Sequence, residues 1–377
     1  MKIIHITPFY LPHIGGIEYH VYNLTKNLSK YIDVEVYSSC IPNHSKKYEF
    51  INNKNKVYRF KKYAVFDPII PDLYKRLCKL QDEKIIFHIH SDQFTNSFIS
   101  SILIKLKRSK FIITFHGKKI GYNMFDRIFQ KYFRTNFCRK IIGKKAEYII
   151  STSRTGIKLY NQLGVNKNKL IFIGNGIDFN EIKRFEKEIK NNDNLMVYDD
   201  YILFSGRLNP QKGVVYLFKA IKKAIKYDKN IKLIVIGNGN LKNKLIKFSK
   251  KYSLQNNIKF LNFLNRSVLL NFYKNAKFLI MPSLYETMPI TIIECLALGT
   301  PVIASNIDEI PYLIKNNYNG LLIPPRNPDA IFNAIKKLYY DDNLISFFGK
   351  NAKKSITKNF SWEFIAKKHL EIYNKVL

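Results

Sequence analysis

Two acidic side chains stand in an otherwise apolar stretch of the chain, Phe278–Ser305. Glu286 and Glu294 are its only charged residues and lie eight positions apart. A carboxylate in apolar surroundings costs free energy unless a partner meets its charge. The prolines and acids of the stretch argue against a membrane span. Two interpretations remain open: a buried strand–helix–strand core with incidental acids, or a ligand site whose carboxylates accept hydroxyl groups.

A second group of charged residues lies in the sequence SGRLNPQKG, Ser205–Gly213. Arg207 and Lys212 follow a short apolar run that predicts a strand. An arginine offers a forked contact to a phosphate and a lysine a point charge, so together they suit a diphosphate. In such a lysine-rich chain Lys212 alone would mean little, and its pairing with Arg207 carries the signal.

Glycines follow two further predicted strands. Gly15 and Gly16 stand between the first strand and a helix, and Gly237 lies in the sequence IGNGN. Glycine lets backbone N–H groups approach a phosphate at a helix N-terminus, but tight turns need glycine as well. Both interpretations stay open for these glycines.

The helix after Glu286 predicts a further anion site. Pro289 suits the start of a helix, and Gly299 suits its C-cap. The N–H groups near Ile290 and Thr291 then lack intrahelical acceptors and can bind phosphate.

His116, in the sequence TFHG, directly follows a predicted strand and is a candidate polar or acid–base group. A surface or satisfied core histidine is the alternative. The nearby His88 and His90 suggest a metal, but no carboxylate cluster accompanies them, so we expect no metal and no cofactor.

These residues must be positioned by a parallel α/β fold. Short apolar runs alternate with amphipathic stretches throughout the 377 residues, which suit two domains. The charged segment Glu181–Asn194 interrupts the alternation and predicts the connection. We expect two doubly wound, Rossmann-like sheets facing across a cleft, the first in residues 1–180 and the second in residues 181–359. Ligands bind at the carboxyl ends of such strands.

Composition narrows the setting. The net charge of +35 suggests an anionic partner or a compositional bias of the source. Four scattered cysteines fit a reducing compartment, and the N-terminus, broken by His5 and Pro8, does not read as a signal peptide. We expect a cytoplasmic protein, with peripheral attachment to the inner face of the cell membrane left open.

The ordered set of these motifs resembles glycosyltransferase family 4, retaining enzymes of GT-B fold. The resemblance covers nearly the whole chain: Gly15-Gly16, TFHG, SGRLNPQKG, IGNGN, the two glutamates in E-x7-E spacing, GTPVIAS and NGLLIPP. It implies transfer of a hexose-type sugar from a UDP- or GDP-linked donor to a glycan or lipid-linked acceptor, in cell-surface polysaccharide or glycolipid synthesis. It also implies that residues 1–180, joined by the C-terminal helix 360–377, form the acceptor-side domain and that residues 181–359 bind the nucleotide sugar.

The resemblance also implies residue roles. Arg207 and Lys212 would bind the diphosphate without a metal, Glu286 the sugar and Glu294 the ribose. The remaining implied donor contacts come from Gly15, Gly16, Gly237, Leu264, Ile290 and Thr291, with His116 beside the transferred sugar. Departures from the family pattern at Asn262, Asp308-Glu309 and Tyr312 leave the base and the sugar open.

The acceptor side is less specific. Lys105–Lys145 holds thirteen Lys or Arg, a single acid, and aromatics at helical spacing. This pattern predicts either an ordinary helix packed on the sheet or an interfacial helix on an anionic membrane. Two other classes remain as alternatives, a sugar-nucleotide epimerase of related fold and a basic protein without transferase activity that binds nucleic acid or membrane. We expect no nucleic acid partner, because no binding motif for one is present.

Overall fold

The computed structural model describes residues 1–42, 45–63, 67, 69–80, 84–117, 137–190 and 200–377. They form two compact units. The first unit is Met1–Gly176 with Asn359–Leu377, and the second is Ile177–Lys358. Each contains one sheet, so the predicted α/β class with two parallel sheets is confirmed.

The first unit is built on an eight-stranded sheet of order β3-β4-β2-β1-β5-β6-β7-β8. All pairs are parallel except β3 with β4. The strands are β1 Lys2–Ile6, β2 Asp33–Ser39, β3 Tyr48–Asn52, β4 Asn55–Phe60, β5 Ile85–His90, β6 Lys110–Phe115, β7 Tyr148–Ser151 and β8 Leu170–Phe172. Its described helices are α1 Gly16–Leu28, α2 Pro71–Lys79, α3 Thr95–Leu106, α4 Arg139–Lys145, α5 Arg154–Gln162 and, at the end of the chain, α14 Trp362–Val376.

The second unit has a six-stranded parallel sheet of order β11-β10-β9-β12-β13-β14. Its strands are β9 Tyr201–Ser205, β10 Lys232–Ile236, β11 Ile258–Leu261, β12 Phe278–Met281, β13 Val302–Ser305 and β14 Gly320–Ile323. Its described helices are α6 Phe179–Lys190, α7 Val214–Tyr227, α8 Lys242–Lys251, α9 Arg266–Asn275, α10 Ile290–Leu298, α11 Ile310–Leu313, α12 Pro328–Tyr339 and α13 Asp342–Ser355.

Apolar runs form the sheet cores because both faces of each sheet are covered by helices. Phe204 on β9 and Ile280 on β12 lie with Phe218 of α7 in one fully buried cluster. Burial of such side chains contributes about 1.5–3 kcal/mol each. The apolar runs Tyr201–Ser205 and Phe278–Met281 predict strands from the sequence alone, and β9 and β12 have these bounds.

The charged segment expected to connect the two domains is largely helix α6, and the two units part between Gly176 and Ile177, near the expected boundary after residue 180. The sequence interpretation missed the edge pair β3–β4 and several helices, among them α9 and α13. The sequence also predicts a helix over Phe125–Lys144, whose part before residue 137 lies outside the described residues and whose end α4 covers.

Gly213 holds the start of α7 against the end of β12. Its φ is 62°, and a Cβ added there would lie 1.9 Å from the carbonyl oxygen of Pro282. Gly164, with φ 78°, has the same handedness but open space around it. Substitution of Gly164 therefore tests the cost of a left-handed φ alone, whereas substitution of Gly213 tests that cost together with the collision.

We expect Gly213→Ala to lower the free energy of unfolding by about 3 kcal/mol or more, because a left-handed φ costs about 1–2 kcal/mol and the collision adds to it. Gly164→Ala, the control, should lose only the strain. Urea denaturation followed by circular dichroism measures both, and equal losses would contradict the collision.

Candidate active site

Two loops at the carboxyl edge of the second sheet bring Lys212 and Glu286 together. They follow β9 and β12, which are neighbours in the sheet. The loops are joined by hydrogen bonds: the Leu284 N–H donates to the Gln211 carbonyl at 2.7 Å, and Gln211 Nε2 donates to the Tyr285 carbonyl at 3.1 Å. The two predicted residues therefore meet because parallel strands end at the same edge.

Glu286 is a buried carboxylate, 6% exposed, with its charge compensated. Its Oε1 accepts hydrogen bonds from Lys212 Nζ and, at 2.8 Å, from Ser283 Oγ. Its backbone N–H donates to Asp308 Oδ2 at 3.0 Å. The ion pair and the two hydrogen bonds fix the carboxylate at the end of β12.

Arg207 lies on the same edge, and its side chain is exposed. It forms no ion pair within the described ranges. Gly237, at the end of β10, supports this loop, since a Cβ there would lie 2.1 Å from the Gly206 carbonyl oxygen. Gly237 thus has a structural reason of its own, the close approach of two backbone segments.

Glu294 is held by a cation that the sequence interpretation missed. Its Oε1 accepts from an Arg266 Nη2 at 2.5 Å, and Arg266 also contacts Glu181 Oε2 at 2.9 Å. Glu294 is 2% exposed, and burial raises the pKa of its carboxyl although Arg266 opposes the rise. A shallow cavity lined by Glu181, Arg184, Phe185, Glu188 and Arg266 adjoins the pair.

Helix α10 points its N-terminus at this edge of the sheet. Pro289 is its N-cap residue, and Gly299, with φ 82°, is its C-cap as predicted. Ile290 and Thr291 are half-buried in the first turn, where N–H groups have no intrahelical acceptor. Leu264 is half-buried directly before Asn265, whose side chain caps α9 by accepting from the Val268 N–H at 3.0 Å.

The other predicted residues belong to the first unit. Gly15 is the N-cap residue of α1 in extended conformation, and a Cβ at Gly16 would meet no atom within 4 Å. The backbone conformation of Gly15 is therefore open to any residue, and the fold leaves room for a side chain at Gly16. Tyr122, Phe125, Phe129, Tyr132 and Phe133 of the basic aromatic segment lie outside the described residues.

His116 lies in a histidine cluster at the carboxyl ends of β1, β5 and β6. Its Nε2 is 3.1 Å from His90 Nδ1, and its ring centroid is 4.6 Å from that of His20. Burial lowers the pKa of His116 well below its usual range, and His20 adds to the shift, so the ring is neutral at pH 7. Only His88, His90 and His116 of this cluster stood out in the sequence, because the others come from distant segments.

Within the described part of the chain, no helix is long and apolar enough to span a bilayer.

Two family profiles match the chain, Glycosyltransferase Family 4 over residues 14–181 and Glycosyl transferases group 1 over residues 186–355. An uncharacterised glycosyltransferase of Methanocaldococcus jannaschii is 31% identical over 373 residues, which are 96% of this chain and 95% of that protein. A UDP-Gal:alpha-D-GlcNAc-diphosphoundecaprenol alpha-1,3-galactosyltransferase of Escherichia coli is 30% identical over 215 residues, 53% of this chain and 52% of that protein.

Among solved structures, the Anabaena protein HepE in complex with UDP-glucose matches with a TM-score of 0.75 and 17% identity, covering 100% of both chains. At this identity the likeness shows the fold alone, which is the GT-B fold.

The contact between Arg266 and Glu294 generates a pH-dependent prediction. Arg266→Ala leaves a buried carboxylate without its cation, so its folded-state pKa rises further. We expect the variant to lose about 2–3 kcal/mol of unfolding free energy at pH 7.5 relative to wild type. The loss should shrink below the ordinary carboxyl pKa of about 4.3, where Glu294 is protonated in both states.

Urea denaturation of both proteins at pH 7.5 and pH 4 measures the difference. Lys223→Ala, which removes an exposed ion pair with Asp329, is the control and should change stability by less than about 0.5 kcal/mol. A loss that does not depend on pH would show that Arg266 acts by packing and not by charge.

Proposed function

The chain belongs to glycosyltransferase family 4, and on this premise we propose that it transfers a hexose-type sugar, with retention at the anomeric carbon, from a UDP-sugar to a glycan or lipid-linked acceptor. The observation that carries the proposal is the Lys212–Glu286 ion pair at the carboxyl edge of the second sheet, beside the exposed Arg207. An ion pair of this kind offers both a cation for phosphate and a carboxylate for sugar hydroxyls.

The diphosphate is bound by cations and backbone N–H groups. The Lys212 side chain is 19% exposed, so its Nζ can turn from Glu286 to a phosphate oxygen, while Arg207 reaches that phosphate from the same loop. The N–H groups of Ile290 and Thr291 add the positive end of α10. These groups stabilise the charge that develops on the leaving diphosphate, so the transfer step needs no metal there.

The two carboxylates then divide the rest of the donor. Glu286 Oε1, released by Lys212, accepts hydroxyl groups of the sugar. Glu294 accepts a ribose hydroxyl, and Arg266 keeps it ionised for that purpose. Leu264 and Gly237 lie on the loops after β11 and β10, where they line the site for the base and ribose.

Transfer proceeds by attack on the face from which the diphosphate leaves. The bond between the anomeric carbon and the β-phosphate oxygen breaks, and the acceptor oxygen bonds to that carbon on the same side. The acceptor proton passes to the leaving phosphate oxygen. The nucleoside diphosphate departs, and the configuration is retained.

For the first unit we propose the roles that the family implies. Gly15 and Gly16 give backbone access for the donor phosphates, and a side chain at Gly16 would meet no atom of the fold. His116, neutral at pH 7, offers a ring nitrogen to a hydroxyl of the transferred sugar. The acceptor enters from this unit.

Two similar proteins support the choice of a UDP-sugar and of a lipid-linked acceptor. The Escherichia coli relative is named for UDP-Gal and a diphosphoundecaprenol acceptor, and the structural neighbour was solved with UDP-glucose. A GDP-linked sugar, with guanine in place of uracil, is the alternative donor.

We expect Lys212→Ala and Glu286→Gln each to lower kcat/KM for transfer by at least about 100-fold, the size of losing one electrostatic contact in the transition state. Lys223→Ala, on the exposed face of α7, keeps the same net charge as Lys212→Ala and should leave kcat/KM unchanged. Thermal unfolding checks that all three fold, and near-normal turnover of either site variant would contradict the assignment.

The donor is identified by thermal shift with UDP-, GDP- and ADP-sugars. At a ligand concentration of 100 times Kd, binding to the native state adds about 2.7 kcal/mol, which raises the melting temperature by several degrees. Uridine, which lacks the diphosphate, is the control and should give a much smaller shift. A shift with GDP-sugars alone would overturn the choice of base, and no shift with any nucleotide sugar would overturn the transferase proposal.

A further inference from the structure

Six of the eight histidines of the chain form one cluster of rings in the first unit. They come from β1, β5, the loop after β6, α1 and α14, and are His5, His88, His90, His116, His20 and His369. The sheet order places β1 beside β5 and β5 beside β6, so His5 and His88 are directly paired in register and His90 stands one position beyond Ile89. No step of the proposed transfer uses more than one of these rings.

Within this cluster, three rings bring one nitrogen each close together. One donor atom each from His20, His90 and His116 lies within 4.8 Å of the other two. Tetrahedral zinc with Zn–N bonds of about 2.1 Å holds its nitrogens about 3.4 Å apart. The three rings would therefore have to approach one another by movements on the order of 1 Å to bind it. The 3.1 Å separation of His90 Nδ1 and His116 Nε2 is already near that spacing.

His20 supplies the clearest sign of a missing ligand. Its Nδ1 lies 2.7 Å from Asn175 Oδ1, an acceptor, so the proton sits on Nδ1 and the Nε2 lone pair is free. That Nε2 is buried and has no hydrogen-bond partner. A metal-bound histidine usually donates its other ring N–H to a fixed oxygen, as His20 does here.

His90 has a supporting partner of the same kind. Its Nε2 lies 2.8 Å from His5 Nδ1, which can accept the His90 Nε2–H and leave the Nδ1 lone pair of His90 available for a metal. In this tautomer the His116 Nε2–H donates to His90 Nδ1 at 3.1 Å. On metal binding the His116 proton moves from Nε2 to Nδ1 of the same ring, with no net release.

The surroundings favour neutral imidazole ligands. His20 and His90 are fully buried and His116 is half-buried, and burial disfavours a charged imidazole. The neutral ring is the form that binds a metal ion. His116 is the half-buried member of the three, so it marks the side from which an ion can enter.

We propose that His20 Nε2, His90 Nδ1 and His116 Nε2 bind one divalent transition-metal ion of the zinc class, with the fourth position open beside His116. Three imidazoles suit Zn²⁺, Co²⁺, Ni²⁺ and Cu²⁺, whereas Mg²⁺ and Ca²⁺ prefer oxygen ligands. The site therefore differs in ligand chemistry from a Mg²⁺ site at a diphosphate, which is built from oxygen ligands. It also revises the expectation from the sequence that no metal binds.

A consequence rests on the proposed function. If His116 Nε2 contacts the transferred sugar, a bound metal occupies that nitrogen and inhibits transfer. The site then acts as an inhibitory one, and a chelator restores activity.

Titration of the full-length, chelator-treated chain with Zn²⁺ alone tests the binding. Isothermal titration calorimetry without any sugar nucleotide should give one equivalent. Substituting Co²⁺ should give the visible absorption bands of a four-coordinate ion. We expect His20→Ala and His116→Ala to weaken binding at least about 100-fold, and Asn175→Ala, which loosens the His20 ring, by about 10-fold.

His13→Ala is the matched control, because His13 lies in the same unit outside the cluster and pairs with Glu18. It should bind Zn²⁺ as wild type does. His116→Ala, at the half-buried position, keeps the test decisive if a buried variant does not fold.

Binding that is absent in the wild type, or that survives both His20→Ala and His116→Ala, overturns the metal site. If Zn²⁺ binds and transfer continues undiminished, the metal site stands and the role of His116 at the sugar is wrong. Failure of the nucleotide-sugar thermal shift would instead contradict the proposed function and leave the metal titration unaffected.

Discussion

The second unit depends on the matching of two buried carboxylates with two cations. Glu286 is neutralised by Lys212, and Glu294 by Arg266. An uncompensated charge in such surroundings costs several kcal/mol, so the loop that carries Glu286 and the helix that carries Glu294 must each pack against the segment that carries the cation. The same ion pairs hold the carboxylates and the cations at one edge of the sheet. The groups that stabilise the fold are therefore also the groups that the proposed binding of the sugar nucleotide uses.

Strand order decides where these groups meet. In the second sheet β9 lies between β10 and β12, and in the first sheet β1 lies between β2 and β5. Open parallel sheets bind ligands where the strand order reverses, because the loops on either side part there. Lys212 and Glu286 flank one such point, and the loop from β1 to Gly15 begins at the other.

The two switch points differ in their electrostatics. The second sheet presents paired full charges, whereas the first presents stacked neutral imidazoles around His90. Desolvation explains the difference: six histidines can be buried together only if they are uncharged, and the falling pKa values of His5 and His88 follow from that burial. A neutral imidazole keeps a nitrogen lone pair that can bind a metal ion. The first unit therefore presents metal-binding nitrogens at its sheet edge, whereas the second unit presents charged side chains.

Much of the second unit could be read from the sequence, because its signals are local. Continuous apolar runs set the bounds of β9 and β12, and Pro289 and Gly299 set the ends of α10 through φ preferences that belong to single residues. The edge pair β3–β4 was missed for the converse reason, since its strands mix charged and apolar residues and contain no continuous apolar run. Lys212 and Glu286 were singled out because each lies in the loop after a strong strand signal.

What only the tertiary structure decided are the partners of these residues. Arg266 meets Glu294, and Glu181 joins them, through helices whose contact depends on how the whole second unit packs. The histidine cluster likewise joins residues up to 364 positions apart, from His5 to His369, and nothing near either residue in the chain indicates the other. Periodicity and caps act within a few residues and are written in the sequence, whereas charge compensation and ring contacts act through space and follow from the order of the strands.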